Sequence, residues 1–342
     1  MKDLDNLSKN YLNFNEVGLS AIGYKNKWIQ LQLSNGKENW GAGEKNQLAL
    51  SNESKLYNYF LLASDYGALR VNYIHGLLEG YNDTINRYIV ARGLEWTNKK
   101  SFIVGFSETI IYSGLNRSLD IGYLNPIGSH LEIEFNNRLN EISLHSSNAV
   151  WQVHLDYFSF QRIRLSINYL IDEFVLDPNI EKGKTNLDAY SICLTYVPLV
   201  NSKHIISVSG NITRIGTYTF RHFNENNNFV QNKSPLGNLN GSDSQEYYIS
   251  FNYFNKKNLF SNLIIGTVYT GDENIKKKPL EPYMSNLAGK FPSGRVIEDR
   301  FLKYEIEWWL NNISSITISF NSSHVSRNNF LININLYRPF FY

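Results

Sequence analysis

Residues 148–158 read Asn-Ala-Val-Trp-Gln-Val-His-Leu-Asp-Tyr-Phe, and residues 163–174 read Ile-Arg-Leu-Ser-Ile-Asn-Tyr-Leu-Ile-Asp-Glu-Phe. Apolar and polar side chains alternate along both segments, which is the two-residue period of a β-strand with one apolar and one polar face. A strand of a soluble protein is usually about 5–6 residues long, whereas a tilted strand that crosses a membrane needs about 9–11. Both segments reach the longer figure, so they predict a hairpin of a transmembrane β-barrel with its apolar face towards lipid.

The composition of the whole chain is compatible with a barrel and excludes several other classes of protein. The chain has 342 residues and a net charge of +2, which is too close to neutral to indicate a nucleic-acid partner. Charged residues make up 19% of the chain, which is below the roughly 25% of soluble domains. No apolar run approaches the roughly 18 residues of a membrane helix, so any membrane span must be a β-strand. The single Cys193 excludes a disulfide within the chain and a thiolate metal cluster.

The same alternation recurs along the chain and predicts an all-β, antiparallel fold of about 15–16 strands. The candidate strands are Val17–Gly23, Trp28–Ser34, Tyr57–Leu62, Gly67–His75, Tyr88–Trp96, Ser101–Glu108, Asn148–Phe158, Ile163–Phe174, Leu187–Val197, Lys203–Arg214, Glu246–Phe254, Leu259–Thr270, Arg300–Leu310, Ile313–Ser322 and Phe330–Arg338.

The connections between these strands alternate in length. Short turns such as Tyr24–Lys27 and Thr97–Lys100 alternate with longer loops, of which the longest are residues 109–147, 215–245 and 271–299. Outer-membrane barrels have short periplasmic turns and longer outer loops. A soluble sandwich gives no reason for every long connection to lie at one end, so the sequence predicts a barrel in the cell outer membrane.

The two ends of the chain lead to a further expectation. The last strand ends on the short-turn side, so the C-terminus is expected in the periplasm. A barrel that also starts in the periplasm and has an even number of strands would need an odd number of further strands upstream. Residues 1–16 are therefore expected to be the remnant of a missing barrel segment, with Tyr11–Asn15 as part of a strand, and residues 17–342 the barrel. Met1–Ser20 also lack the basic start and apolar core of a signal peptide.

Six stretches are more particular than ordinary barrel loops. They are Asn-Trp-Gly-Ala-Gly-Glu-Lys-Asn-Gln-Leu-Ala-Leu-Ser at 39–51, Gly-Phe-Ser-Glu-Thr at 105–109, Tyr-Leu-Asn-Pro at 123–126, Tyr-Leu-Ile-Asp-Glu-Phe at 169–174, Thr-Arg-Ile-Gly-Thr-Tyr-Thr-Phe-Arg-His at 213–222 and Pro-Leu-Gly-Asn-Leu-Asn-Gly at 235–241. In this order they resemble the Wzi family of capsule assembly proteins. The resemblance implies an eighteen-stranded outer-membrane barrel that holds capsular polysaccharide at the cell surface, and hence three strands upstream of this sequence. The closing Tyr337–Tyr342 resembles the aromatic C-terminal signal of outer-membrane barrels, although Pro339 interrupts the alternation.

Three carboxylates lie at predicted strand ends, namely Glu108, Asp172 and Glu173. Glu108 and Asp172 both fall on the long-loop side and are expected to share the outer mouth. Such a pair could hydrolyse glycosidic bonds, bind sugar hydroxyls, or brace the lumen in a network of ion pairs. The expected partner in that network is Arg92, Arg164 or Arg214. The network is favoured over sugar binding and catalysis is least favoured, so no enzymatic activity is expected.

Aromatic and polar residues in or beside the long loops are the other candidates for binding polysaccharide. They are Trp40, Tyr123, Asn125, Arg214, Tyr218 and His222. Aromatic faces stack on sugar rings, while Asn and charged side chains hydrogen-bond hydroxyl groups. The alternative is that these residues pack the loops into the barrel as a plug. The His residues show no metal-ligand spacing such as His-Glu-x-x-His, so no metal or cofactor is expected.

These observations predict a non-catalytic outer-membrane barrel, monomeric in outer-membrane lipid, that binds or anchors surface polysaccharide. The alternative is a porin-like diffusion channel, for which the lumen would have to be open. An outer-membrane enzyme that acts on glycans and a soluble β-lectin are less favoured.

Overall fold

The computed structural model describes residues 20–80, 84–133, 147–173, 187–283, 289–311, 313–325 and 328–336, except the side chains of Glu173 and Leu336. The expected remnant at residues 1–16 and the aromatic C-terminal stretch Tyr337–Tyr342 lie outside the described residues and stay predictions. Within the described residues, nearly all of the regular secondary structure is β-strand.

Seventeen strands follow one another along the described part of the chain. They are β1 (Ser20–Lys25), β2 (Ile29–Gly36), β3 (Tyr57–Asp65), β4 (Leu69–Leu78), β5 (Ile85–Thr97), β6 (Phe102–Leu115), β7 (Ser147–Tyr157), β8 (Ile163–Glu173), β9 (Leu187–Val200), β10 (Ile205–Ile215), β11 (Val230–Gln231), β12 (Ser234–Pro235), β13 (Ser244–Phe254), β14 (Leu259–Thr270), β15 (Ile297–Asn311), β16 (Ser314–Ser323) and β17 (Asn329–Leu336).

One sheet of 15 strands runs in chain order from β1 to β10 and then from β13 to β17. Neighbouring strands are antiparallel throughout, from the β1–β2 pair to the β16–β17 pair. The two-residue strands β11 and β12 pair with each other within the connection between β10 and β13. Each strand predicted from the sequence coincides with one strand of this sheet, so the antiparallel all-β prediction is confirmed.

Helical structure is limited to short turns in the long connections. An α-helix, α1, covers Ile121–Leu124, and a single 3₁₀ turn covers Glu225–Asn227. No helix among the described residues is long and apolar enough to cross a membrane.

The short turns at one end of the sheet are closed by asparagine side chains. At five of them the side-chain oxygen of an Asn accepts hydrogen bonds from backbone N–H groups two to four residues further on; these residues are Asn26, Asn98, Asn201, Asn255 and Asn311. An Asn side chain that replaces a backbone partner lets the chain reverse within few residues. The long connections between β2 and β3, β6 and β7, β10 and β13, and β14 and β15 leave and re-enter the sheet at the opposite end, so the predicted alternation of short turns and long loops is confirmed.

The two faces of the sheet carry different side chains. In β9, Ser191 is completely buried, whereas its neighbours Ile192 and Leu194 expose 39% and 51% of their surface. In β13, Ser250 is buried and Ile249 is 50% exposed. The buried polar face is the one that the long loops pack against, which makes it the lumen side. The opposite face is apolar and exposed, as expected of a wall in contact with lipid.

Near the long-loop end, the lumen is filled by protein. Loop side chains pack there with inward-facing residues of β3 to β10 in one buried apolar cluster. The loop residues in this cluster are Trp40, Leu48, Ala49, Leu50, Phe220, Phe229, Val230, Leu236 and Ile275. Among the strand residues that meet them are Ile74, Ile89, Ile111, Leu170 and Ile215. A water-filled lumen would favour polar side chains at these positions, so their apolar character follows from the loops that cover them.

Candidate functional site at the outer mouth

The connection between β2 and β3 is fixed to the lumen wall by polar side chains. Asn168 of β8 accepts a hydrogen bond from the N–H of Ala42 at 2.7 Å and donates one to the carbonyl of the same residue at 3.0 Å. The Ser191 hydroxyl donates to the carbonyl of Asn46 at 2.6 Å. These bonds satisfy loop backbone groups that are buried away from water. The loop therefore forms the base on which the mouth is built.

Trp40 belongs to this base. Its Nε1 donates to Glu38 at 2.9 Å, and the Tyr59 hydroxyl donates to the other oxygen of the same carboxylate at 2.8 Å. The indole lies against Gly93 of β5, where a Cβ atom would come within 3.1 Å of the ring. Trp40 is only 9% exposed, so of the two alternatives for this residue the structure supports packing in the plug.

Two neighbouring residues, Phe220 and Arg221, attach the connection between β10 and β13 to other parts of the barrel. The N–H of Phe220 donates to the Asp172 carboxylate, which is buried on the lumen side at the outer end of β8. The neighbouring Arg221, 2% exposed, donates to the Glu273 carboxylate and to the carbonyl of Pro282. Arg221 thus ties this loop to the β14–β15 connection. Asp172, a predicted sugar ligand, serves as an anchor for the loop.

Between these two loops lies an aromatic surface that we call the mouth patch, formed by Tyr218, Phe223 and Tyr283. The rings of Tyr218 and Tyr283 stack at 5.2 Å between centroids, and those of Phe223 and Tyr283 lie 4.4 Å apart. Tyr218 is partly exposed and Phe223 is 51% exposed, whereas Tyr283 is buried beneath them. Burial raises the pKa of the Tyr218 phenol, so the patch stays neutral at physiological pH.

Charged side chains border the mouth patch on one side. The Arg221 guanidinium lies 6.0 Å from the centre of the Tyr218 ring, and Lys278 donates to Glu273 at 2.6 Å. Burial alone would raise the pKa of Glu273, but the hydrogen bonds from Lys278 and Arg221 outweigh this effect and hold the pKa below its usual value. The mouth therefore combines exposed aromatic faces with a fixed carboxylate and two cations.

His222 lies directly below the mouth patch and is 9% exposed. The imidazole Nδ1 accepts a hydrogen bond from the backbone N–H of Asn224 at 3.0 Å. The backbone N–H of His222 donates to the side-chain oxygen of Asn228 at 2.8 Å. These contacts shape the loop that presents Phe223. The position of His222 is thus that of a support for the patch.

The expectation that Glu108 and Asp172 share the outer mouth is wrong. The strand β6 continues to Leu115, so Glu108 lies in the middle of the strand. Ile111 of the same strand belongs to the lumen cluster, and because successive side chains alternate between faces, Glu108 points to the outside. Asp172 faces the lumen. The two carboxylates lie on opposite sides of the sheet and do not form a glycosidase pair.

Tyr123 and Asn125 lie on the outer wall of the barrel, as Glu108 does. Tyr123 of α1 is completely buried with its ring stacked 4.6 Å from that of Tyr112 on β6. Asn125 accepts a hydrogen bond from the N–H of Ile127 at 3.1 Å just after the helix. Both residues therefore lie away from the mouth patch.

The expected lumen network of ion pairs is instead three separate pairs. Arg164 and Asp156 meet at 2.8 Å in the lumen. Arg92 lies 3.7 Å from Glu108 on the outer wall. Arg214 also faces outwards. It pairs with Asp188 at 3.4 Å, and its guanidinium covers the Phe291 ring at 4.1 Å. The prediction of a shared lumen network is wrong because Arg92, Glu108 and Arg214 face outwards, whereas Arg164 and Asp172 face the lumen. The side chain of Glu173 lies outside the described residues.

Four residues of the mouth were not among the candidates from the sequence, namely Arg221, Phe223, Glu273 and Tyr283. Phe223 follows directly after the quoted stretch that ends at His222, so the sequence offered a signal for it. Tyr283 and Glu273 lie in a loop without periodic pattern, and their place depends on contacts with Arg221. No group of three or more His, Cys, Asp or Glu side chains within the described ranges is arranged to hold a metal ion.

Comparison with known proteins supports the fold. No protein-family model and no curated protein sequence matches the chain. Among solved structures, Wzi from Escherichia coli, an outer-membrane protein involved in group 1 capsule assembly and described as a carbohydrate-binding β-barrel, has a TM-score of 0.68 at 10% identity over 92% of this chain and 68% of its own. OccK10 of Pseudomonas aeruginosa has a TM-score of 0.47 at 10% identity over 94% of this chain and 83% of its own. BamA of Haemophilus ducreyi lacking POTRA domains 1–3 has a TM-score of 0.41 at 11% identity over 90% of this chain and 64% of its own.

The class of protein follows from the likeness to Wzi together with the apolar exposed wall. The chain has the fold of an outer-membrane β-barrel, and the predicted location in the outer membrane is confirmed. At 10% identity the likeness concerns the fold.

Proposed function

We propose that the protein is a non-catalytic outer-membrane barrel that binds or anchors surface polysaccharide at the mouth patch. The observation that carries this proposal is the exposure of Tyr218 and Phe223 over a buried Tyr283 at the outer end of the barrel. Large aromatic faces in a fixed orientation present apolar area with little entropy to lose, which suits the apolar faces of sugar rings. The filled lumen below leaves the patch as a platform on the cell surface.

The charged border adds the polar contacts that a glycan needs. Lys278 carries positive charge beside the patch, and the partly exposed Glu273 offers carboxylate oxygens to hydroxyl groups. The buried Arg221 holds Glu273 in place. Hydrogen bonds to charged groups contribute roughly 1.5–3 kcal/mol each. A polysaccharide that bears both hydroxyl and carboxylate groups suits this combination. The description of Wzi as a carbohydrate-binding barrel agrees with the proposal at the level of the fold.

The test is the binding of the purified full chain to polysaccharide sheared from the surface of the producing cells. We expect Phe223→Ala to weaken binding about threefold to tenfold, since an aromatic contact contributes about 0.5–1.5 kcal/mol. Phe160→Ala is the matched control, because Phe160 is 62% exposed in the short turn between β7 and β8 at the opposite end. Equal binding by both variants would refute a role for the patch.

A polar cavity in the lumen favours a diffusion channel as the second candidate. It has a volume of about 350 Å³ and lies beneath the β2–β3 loop, between β8–β10 and β13–β15. Arg164, Thr195, Asn252 and Glu305 are among the residues that line it. Conductance in planar bilayers separates the two functions: a binding barrel with a filled lumen gives small or no steady current. A large, stable conductance that is independent of polysaccharide would favour the channel.

A further inference from the structure

The described residues of the connection between β6 and β7 do not extend into solvent above the barrel. These residues, 116–133, fold down over the outer wall of β4–β7, and we call them the wall flap. The Tyr73 hydroxyl on β4 donates to the carbonyl of Tyr123 at 3.0 Å, and the N–H of His130 donates to Glu108 at 3.1 Å. The flap is therefore attached both near its helix and near its far end.

The wall beneath the flap is polar and aromatic, in contrast to the apolar outward residues Ile192 and Leu194 of β9 and Ile249 of β13. Arg92 and Glu108 lie side by side on neighbouring strands with 8% and 5% exposure, and Glu108 also accepts a hydrogen bond from Trp151 at 2.9 Å. His75 is 6% exposed and hydrogen-bonds Tyr112 at 2.8 Å. Charged side chains on a lipid-facing wall are strongly destabilising. The flap excludes lipid from them and supplies part of their hydrogen bonding.

The depth of this polar wall places it within the membrane. Glu108 lies midway along the 14 residues of β6. A strand rises about 3.3 Å per residue and is tilted by about 35–45°, and the apolar band of a barrel is about 25 Å tall. The middle of β6 therefore falls inside the apolar band, and a segment that covers it must meet the outer leaflet.

The outer surface of the wall flap carries five large aliphatic side chains among its polar ones. Its large exposed residues are Leu119 (45%), Ile121 (81%), Leu124 (43%), Ile127 (90%) and Leu131 (61%). A loop in water gains nothing from exposing so many aliphatic side chains. They are continuous with the exposed residues on the same wall towards the short turns, which include Leu94, Phe106 and Val153 at 45%, 49% and 51%.

We propose that the wall flap is embedded in the outer leaflet of the membrane, at the boundary between acyl chains and headgroups. Its aliphatic residues contact lipid, and its inner surface seals the Arg92–Glu108 pair from hydrocarbon. Glu132, exposed at the end of the flap, lies at headgroup level. The occupant of this surface is lipid, because the surface continues the lipid-facing belt of the strands.

The experiment uses the full chain extracted from outer membranes and reconstituted in phosphatidylcholine vesicles. In a Cys193→Ala background, Ile127→Cys is labelled with an environment-sensitive nitrobenzoxadiazole dye. Val153→Cys on the strand belt and Phe223→Cys at the mouth are the lipid and water controls. Quenching is measured with doxyl-labelled phosphatidylcholine and, separately, with a water-soluble quencher.

We expect the label at residue 127 to match that at residue 153, with a blue-shifted emission and quenching by the doxyl lipid. A label that matches residue 223 overturns the proposal, because pure vesicles contain no partner protein to cover the flap. If Ile127→Cys does not fold, Ile121→Cys at 81% exposure gives the same readout. Water exposure at that position would likewise reject a flap embedded in lipid.

Discussion

Two parts of the outer wall differ in what they present to the membrane. On β13 and β15 the outward residues Ile249 and Tyr304 are apolar or aromatic and 50% and 37% exposed. On β4–β6 the outward residues His75, Arg92 and Glu108 are polar and at most 8% exposed. In the middle of the strands compared, the outer wall thus carries charge only where another part of the protein covers it. The exposed charges Glu298 and Arg300 lie at the outer end of β15. A polar residue on the lipid-facing parity is a sign of a covering segment.

The largest expected effect lies in the covered wall. Glu108→Leu leaves Arg92 buried without its carboxylate and removes the acceptor of the Trp151 and His130 N–H groups. Breaking a buried ion pair from one side costs about 3–5 kcal/mol. We expect the free energy of unfolding to fall by this amount. It is measured by urea denaturation of the barrel in vesicles, monitored by tryptophan fluorescence.

Two further variants make this result specific. Glu298→Leu removes one partner of the solvent-exposed Arg300–Glu298 pair and is expected to have almost no effect. The double variant Arg92→Leu/Glu108→Leu is expected to regain the part of the loss that comes from the buried Arg92 charge, because apolar residues can replace a buried pair. The hydrogen bonds from Trp151 and His130 to Glu108 stay lost in this variant. Equal stability of Glu108→Leu and Glu298→Leu would mean that the wall is not sealed.

The next effect concerns the uncovered wall. Ile249→Arg places a charge on the lipid face in the middle of β13, which costs about 2–4 kcal/mol near the bilayer midplane. Asn252→Arg, on the lumen side of the same strand beside the polar cavity, should cost much less. The comparison uses the same denaturation assay, and a reversed order would contradict the assignment of the two faces.

A smaller effect is expected for the loop that fills the lumen. Asn168→Ala removes the side-chain bonds to Ala42 and Asn46. The buried N–H and carbonyl of Ala42 lose their partner, at about 1–3 kcal/mol, whereas the Asn46 carbonyl keeps the Ser191 hydroxyl. Hydrogen exchange in residues 41–49 should accelerate. Asn252→Ala, which removes a lumen amide without contact to this loop, is the matched control. Unchanged exchange in both variants would show that other contacts hold the loop.

The smallest effect is a pH dependence at the mouth. The folded-state pKa of Glu273 lies below its usual 4.5, so the ionised form contributes stability that is fully present above pH 4.5 and is lost as the pH falls through the folded pKa. For a partly exposed pair the contribution is below about 1 kcal/mol. Denaturation midpoints between pH 6 and pH 3 should fall less for Glu273→Gln than for the natural chain. An identical pH dependence of the two denaturation midpoints would show that Glu273 does not stabilise the mouth.

The sequence predicts the strands well because alternation is a local property. All fifteen strands of the sheet, and the short turns closed by residues such as Asn98 and Asn255, follow from patterns within a few residues. The alternation of side chains also predicts that Glu108 shares the outward face with Phe106. This was overlooked because Glu108 was placed at the end of its predicted strand. The length of β6 beyond Glu108 depends on pairing with β5 and β7.

The arrangement of the mouth and the wall flap was not predictable in the same way. Tyr283 reaches Tyr218 because Arg221 ties two loops together across a long stretch of chain. Tyr123 reaches Tyr112 by a reversal of the β6–β7 connection over its own strand. Both arrangements depend on contacts between distant segments, and no spacing in the sequence records them.

The most direct test of the central claim is the amount of polysaccharide that stays with the cell. Cells that produce Tyr218→Ala/Phe223→Ala are compared with cells that produce Phe160→Ala, and cell-associated and shed polysaccharide are quantified alongside heat-modifiable migration of the barrel on a denaturing gel. We predict that the mouth variant sheds polysaccharide while its barrel stays folded and the control retains it. Equal retention by two folded barrels would contradict binding at the mouth patch.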